Sequence, residues 1–134
     1  ASVFRGKRGI KSIFEDILSY PHKECAVLGA SGKFKSLFPA YFIHWQKRRT
    51  SKNILLKIIY AHSVKEQHRE RELKMAEIRY SKNYPQDPST TFIYGDKVAL
   101  IVWSDVPMAF IVRSEKVAQS YRAFFEVIWK TAEK

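Results

Sequence analysis

The chain has one cysteine, Cys25, among 134 residues. A lone thiol forms no internal bridge, which excludes a disulfide-stapled scaffold and makes a reducing, cytoplasmic compartment the expectation. Long apolar runs are missing as well. The longest, Val98 to Trp103, is six residues, against the ~20 that a bilayer-crossing helix needs, so no membrane partner is expected. The four histidines, His22, His44, His62 and His68, are dispersed. None stands at metal-ligand spacing from another histidine or from Cys25, so neither a metal nor another cofactor is expected. Acidic side chains are scarce, 13 against 24 Lys and Arg, for a formal charge of +11.

Against these absences stand 46% hydrophobic and 14% aromatic residues, a core-forming composition. A chain of this length buries roughly 68% of its unfolded surface, enough to hold together without staples. No repeat, low-complexity tract or linker interrupts it, so a single domain over 1–134 is expected. The charge is lopsided: residues 1–52 hold 11 basic and 3 acidic side chains, the remainder 13 and 10. Such an excess favours a polyanionic partner without saying anything about fold. The sequence opens Ala1-Ser2-Val3 with neither methionine nor a signal segment, and is read as a piece excised from a longer chain.

Ile10, Ile13, Phe14, Ile17 and Leu18 recur at helical spacing from Gly9 to Tyr20, an amphipathic helix ended by Pro21. Cys25-Ala26-Val27-Leu28 reads as a strand buried on both faces, leaving through Gly29-Ala30-Ser31-Gly32. Leu37, Phe38, Tyr41, Phe42 and Trp45 repeat as a second helix, with Pro39 in its first turn and Ser36 as cap. The cations Lys47, Arg48, Arg49 and Lys52 close that helix against its dipole. Ile54 to Tyr60 is a second buried strand. Ser63 and Glu66 form a capping box opening a third, mostly charged helix from Val64 to Met75, in which Glu70 and Lys74 pair. Glu77 to Tyr80 is a third strand.

After a loop from Ser81 to Ser89 holding Pro85 and Pro88, the pattern changes. Thr91–Tyr94, Lys97–Trp103 and Met108–Val112 are joined by short turns as an antiparallel meander. Ser114 caps a last helix whose stripe of Val117, Ala118, Tyr121, Phe124, Phe125, Ile128 and Trp129 is expected to pack on the sheet and nucleate the core. Alternating helices and strands followed by a meander predict an α/β fold: a mixed sheet of about six strands with helices on both faces.

Gly29-Ala30-Ser31-Gly32-Lys33 resembles a phosphate-cradling turn but fails the P-loop pattern, with Val27 at the first glycine and Phe34 at the metal-binding hydroxyl. It is a strand exit that leaves an anion or polar-ligand site open, since ligands favour the carboxyl ends of strands in open α/β sheets. Cys25 sits in an apolar run as a packing residue, and Asp96 beside Gly95 is a turn residue. Trp45, Trp103 and Trp129 fall in the apolar phase of their elements and read as core. Arg5, Lys7, Arg8 and Lys11 with Lys47, Arg48 and Lys52 are candidates for nucleic-acid contact if the two clusters meet in space. Otherwise they are a solvated helix end.

Six strings in order resemble the effector domain of TrmB-type archaeal transcriptional regulators. They are Phe4 to Ile10, Val27 to Gly32, Trp45 to Arg49, Glu77 to Tyr80, Ser89 to Ala99, and Tyr121 to Phe125. The resemblance implies a phospholipase D-like fold, an N-terminal winged helix that binds promoter DNA in the longer regulator, and a homodimer. It also implies a small effector, a sugar or an anion; the further C-terminal β-rich domain of sugar-responsive members does not follow Lys134 in this sequence. Active phospholipase D-like enzymes carry H-x-K-x-x-x-x-D along a strand entering a turn, with the histidine as nucleophile. With Asp96 as the aspartate, Thr90 and Phe92 are assigned the histidine and lysine places. No nucleophile with its cationic partner is then present, and a non-enzymatic sensing and dimerisation domain is expected, the alternatives being a nucleic-acid-binding domain in its own right and a phosphodiesterase with displaced catalytic residues. Its candidate ligand residues are Gly29, Ala30, Ser31, Gly32, Arg49, Arg79, Thr90 and Thr91.

Overall fold

The computed structural model describes residues 2–67, 73–82 and 89–134. The elements are β1 (Ser2–Arg5), α1 (Gly6–Ser19), β2 (Glu24–Ala30), α2 (Lys33–Leu37), α3 (Pro39–Ser51) and β3 (Leu55–Ala61), then a 3₁₀ helix (His62–Gln67). They continue with β4 (Ala76–Ser81), β5 (Ser89–Tyr94), β6 (Lys97–Val102), β7 (Met108–Arg113) and α4 (Glu115–Thr131). The strands form one mixed seven-stranded sheet in the order β1-β7-β6-β5-β2-β3-β4. β2, β3 and β4 run parallel. β5 runs antiparallel to β2 and continues through β6 and β7 as the expected meander.

Alternation along the strands sorts the core onto two faces. Cys25, Val27, Leu56, Ile58 and Phe92 point toward α1 and α3, where Ile10, Ile13, Phe14, Ile17 and Trp45 meet them. Ala26, Leu28, Ile59 and Ile93 point the other way, toward Ala118, Phe125 and Trp129 of α4. Cys25 is fully buried, and desolvation pushes its thiol up to about 12, so it packs rather than reacts. Ser114 caps α4 as expected, its hydroxyl accepting the Val117 N–H at 3.3 Å.

One strand adds to the expected sheet and three expectations need correction. The sheet has a seventh strand: β1 pairs with β7, Val3 opposite Phe110, a long-range partnership with no local signal. Among the described residues the predicted third helix is represented by a 3₁₀ turn, His62–Gln67. Met75 has a left-handed φ of 50° and Ala76 already belongs to β4, so a helix does not reach Met75. His68, Glu70 and the rest of that predicted segment, like Pro85 and Pro88, lie outside the described residues. The helix predicted from Leu37 is two, broken at Phe38, which stands at the N-cap of α3 with Pro39 following. Ser36 lies inside α2 and caps neither. Finally, α4 packs on the sheet as expected, but over the smaller of the two buried clusters. Tyr121, Phe124 and Val127 are 41%, 55% and 67% exposed, and the larger cluster lies under α1 and α3.

The last residues return to the sheet: Glu133 and Tyr80 exchange backbone hydrogen bonds on the outer edge of β4. The Glu133 carboxylate lies 3.4 Å from each of Lys65, Lys82 and His62. The two lysines hold it below the usual carboxylate range.

Candidate functional site

The strand exit after β2 is shaped by a bulge. Register slips between Leu28 and Ala30, and Gly29 takes up the extra residue at φ 81°, a conformation costly for a side-chain-bearing residue. Its carbonyl accepts the Thr90 hydroxyl at 3.2 Å, and that Thr90 oxygen accepts the Trp103 indole N–H at 2.9 Å. One threonine thus ties together the end of β2, the start of β5 and the residue following β6.

Beside this tie, at the carboxyl end of β2 and under α2 and α3, lies a cavity of about 60 Å³. That is room for roughly four water-sized groups. Its wall is largely aromatic, including Phe14, Phe34, Trp45, Phe92 and Trp103, and its polar lining includes Ser31, Lys33, Gln46 and Thr90. The rings lock one another: Phe14 stacks on Phe34 with centroids 3.7 Å apart, and Trp45 and Phe92 each meet Phe14 edge-on at 5.4 Å.

The predicted ligand residues divide. Ala30, Ser31, Gly32 and Thr90 line the cavity, with Gly29 behind them as the hydrogen-bond acceptor. Arg49 does not line it. Its side chain is fully buried and donates to the carbonyls of Ile54 (2.7 Å), Met75 (3.0 Å) and Lys74. Its Nε also holds the Gln46 Oε1 at 2.8 Å, so Arg49 orients a residue that does face the cavity. Burial draws the guanidinium down to about 10, leaving it charged at neutral pH. Arg79 is on the other side of the sheet, its guanidinium 4.3 Å from the Trp129 ring centroid and bonded to the Trp129 carbonyl. Thr91 stands opposite Leu28, on the α4 face. Sequence reasoning missed Gln46, Phe14 and Phe34 as cavity residues; the helical interval from Phe42 to Gln46 was the available signal.

Counting back from Asp96 corrects the motif assignment. The histidine place is Ser89 and the lysine place Thr91, each one residue before the Thr90 and Phe92 assigned to it. The correction matters structurally, because side chains alternate along β5, but neither place holds histidine or lysine. Asp96 itself is bound by the Tyr20 hydroxyl and, at 3.2 Å, by Arg113 Nε, which hold its carboxyl below the usual range. Among the described residues no group of three or more His, Cys, Asp and Glu could hold a metal. No helix there is long and apolar enough to cross a membrane.

One member of each basic cluster, Lys11 and Arg48, reaches the junction of α1 and α3 at Tyr41 and Glu15. Arg48 of α3 grips Glu15 of α1 through two 2.7 Å hydrogen bonds, and Tyr41 donates to the same carboxylate. Arg48 is the main reason that Glu15 is held below its ordinary value. Lys11 lies over the rings of Tyr41 and Phe38, 5.2 and 5.6 Å from their centroids. Arg5 leans the other way, toward the Met108 sulfur.

The sheet order, the parallel β2-β3-β4 half and the antiparallel meander define a phospholipase D-like fold. Among solved structures, NucT from Helicobacter pylori matches 98% of this chain and 96% of its own at a TM-score of 0.72 and 12% identity. Nuc from Salmonella typhimurium, a phospholipase D family member, matches 98% and 95% at 0.64 and 13%. TrmBL2, described as an archaeal chromatin protein with a novel mode of DNA binding, matches 99% of this chain at 0.64 and 15%. The chain spans about half of TrmBL2, 53% of its length. At these identities the likeness is one of fold. No protein-family model and no curated protein sequence matches the chain.

Proposed function

We propose that this is a non-catalytic phospholipase D-like domain that senses a small molecule within a DNA-associated regulator. The observation that carries the reading is the cavity at the carboxyl end of β2. It lies beside the strand that carries the motif places, and those places hold Ser89 and Thr91. Neither place holds the histidine that the motif uses as nucleophile, and the Thr90 oxygen, on the cavity side of the strand, is already committed to Gly29 and Trp103. What the cavity offers is recognition: aromatic walls for an apolar face, the Gln46 amide and Ser31 hydroxyl for hydrogen bonds, and the Lys33 ammonium for an anionic group. At about 60 Å³ it takes a small polyol or short carboxylate, or the end group of a larger sugar. The likeness to TrmBL2, a DNA-binding chromatin protein, supports the DNA-associated setting, and the homodimer stays part of the proposal, checked by sedimentation equilibrium.

Trp103 lines the cavity and reports on it. Titration with a panel of small polyols and carboxylates is expected to change its fluorescence and raise the melting temperature. Ser31→Phe, which fills the mouth, is expected to abolish both responses while leaving the circular dichroism spectrum unchanged. Turnover of a generic phosphodiester by the unmodified chain would overturn the non-catalytic reading.

A further inference from the structure

We infer that the outer surface of the α1–α3 layer binds the phosphodiester backbone of duplex nucleic acid without reading its sequence. The argument begins with the ion pair at its centre. Glu15 is the acid at the α1–α3 junction, and Arg48 satisfies it in bidentate fashion, so the pair contributes little net field. Around it Lys7, Arg8, Lys11, Lys47 and Lys52 are all exposed. Among the described residues none of these five has an acidic partner, whereas Lys57, Lys65, Lys82, Lys97 and Arg113 elsewhere are each paired.

Unpaired cations gathered on one layer cost self-repulsion that a polyanion relieves. Their arrangement suits an extended polyanion. Contacts of Lys11 with Phe38 and Tyr41, and of Glu15 with Tyr41 and Arg48, show that α1 and α3 run side by side in the same direction. At 1.5 Å per residue, Arg8 to Glu15 covers about 10 Å of α1 and Arg48 to Lys52 about 6 Å more along α3. A duplex presents successive phosphates along that length. A bilayer surface is the less favoured partner, because Ile43 is the large exposed apolar residue on either helix and one such side chain gives little insertion. The five side chains come from helix surfaces with no groove-entering element, so the contact is to backbone rather than to base edges. The inference does not depend on the cavity, and its test uses no small ligand.

Fluorescence anisotropy with two unrelated labelled duplexes is expected to show binding of equal strength at 50 mM salt. With four to five phosphates neutralised, affinity should fall on the order of a hundredfold or more by 200 mM. The triple variant Arg8→Ala/Lys11→Ala/Lys47→Ala is expected to lose more than ~10-fold in affinity and to reduce the salt slope by about 3. A control of equal charge loss, Lys116→Ala/Lys130→Ala/Lys134→Ala, is expected to change affinity less than ~3-fold. Both triples are checked for native circular dichroism. Absence of binding at 50 mM salt, equal losses in the two triples, or binding to phosphatidylserine vesicles in place of duplex would each overturn the inference.

Discussion

On the α1–α3 face, Phe14, Phe34, Trp45 and Phe92 form a continuous set of ring contacts, and the Trp45 indole donates to the Phe14 carbonyl at 2.8 Å. On the α4 face, Phe125 and Trp129 stack on each other, while Phe124 and Val127 beside them are more than half exposed. The first face spends its aromatic residues on walls that enclose space and includes a buried cation. The second is a thinner seam, held by Ala118, Phe125 and Trp129 and by Lys57 and Arg79 lying over the Trp129 ring. The difference teaches where specificity lies: the face with the cavity is the one whose side chains are most constrained.

The largest test of that contrast is Arg49→Ala. It removes the bonds to the buried Ile54 carbonyl and to the part-buried carbonyls of Lys74 and Met75, leaves a cavity, and is expected to cost about 3–5 kcal/mol in urea unfolding. Arg49→Lys should recover only part of the loss, because an ammonium cannot reproduce the guanidinium fork. A loss no greater than that of Phe125→Ala would break the comparison. Next come the paired truncations. Phe14→Ala should cost about 4 kcal/mol and Phe125→Ala about 3, since the half-exposed surroundings of Phe125 can close over the space it leaves. The smallest effect is electrostatic. The Glu15 pKa is lowered, so its contribution is present above 4.5 and is lost as the pH falls through the folded value. Glu15→Gln should therefore flatten the acid limb of the stability profile.

Periodicity made most of this architecture legible. The run Cys25–Leu28, the meander and the Ser114 cap are local features whose physics acts within a few residues, and each appears where the pattern puts it. β1 was not legible because four residues facing β7 across the whole chain leave no local period. Arg49 was hidden in a basic run that reads as solvated. Yet it stands one helical interval after Trp45, and both are buried, so the four-residue spacing carried the signal that charge obscured. The site was half legible: small residues mark a strand exit, but which side of the sheet Arg79 and Thr91 face depends on register, and register is set by partners far away in sequence.

The guanidinium of Arg49 also has a consequence in time. Its acceptors belong to three stretches, the entry to β3 at Ile54, the entry to β4 at Lys74 and Met75, and its own helix at Gln46. They converge only after the chain between Ile54 and Lys74 has closed its loop. Until then the cation keeps its hydration. Arg49→Ala is therefore expected to speed unfolding more than it slows folding, which the two limbs of a urea chevron would show.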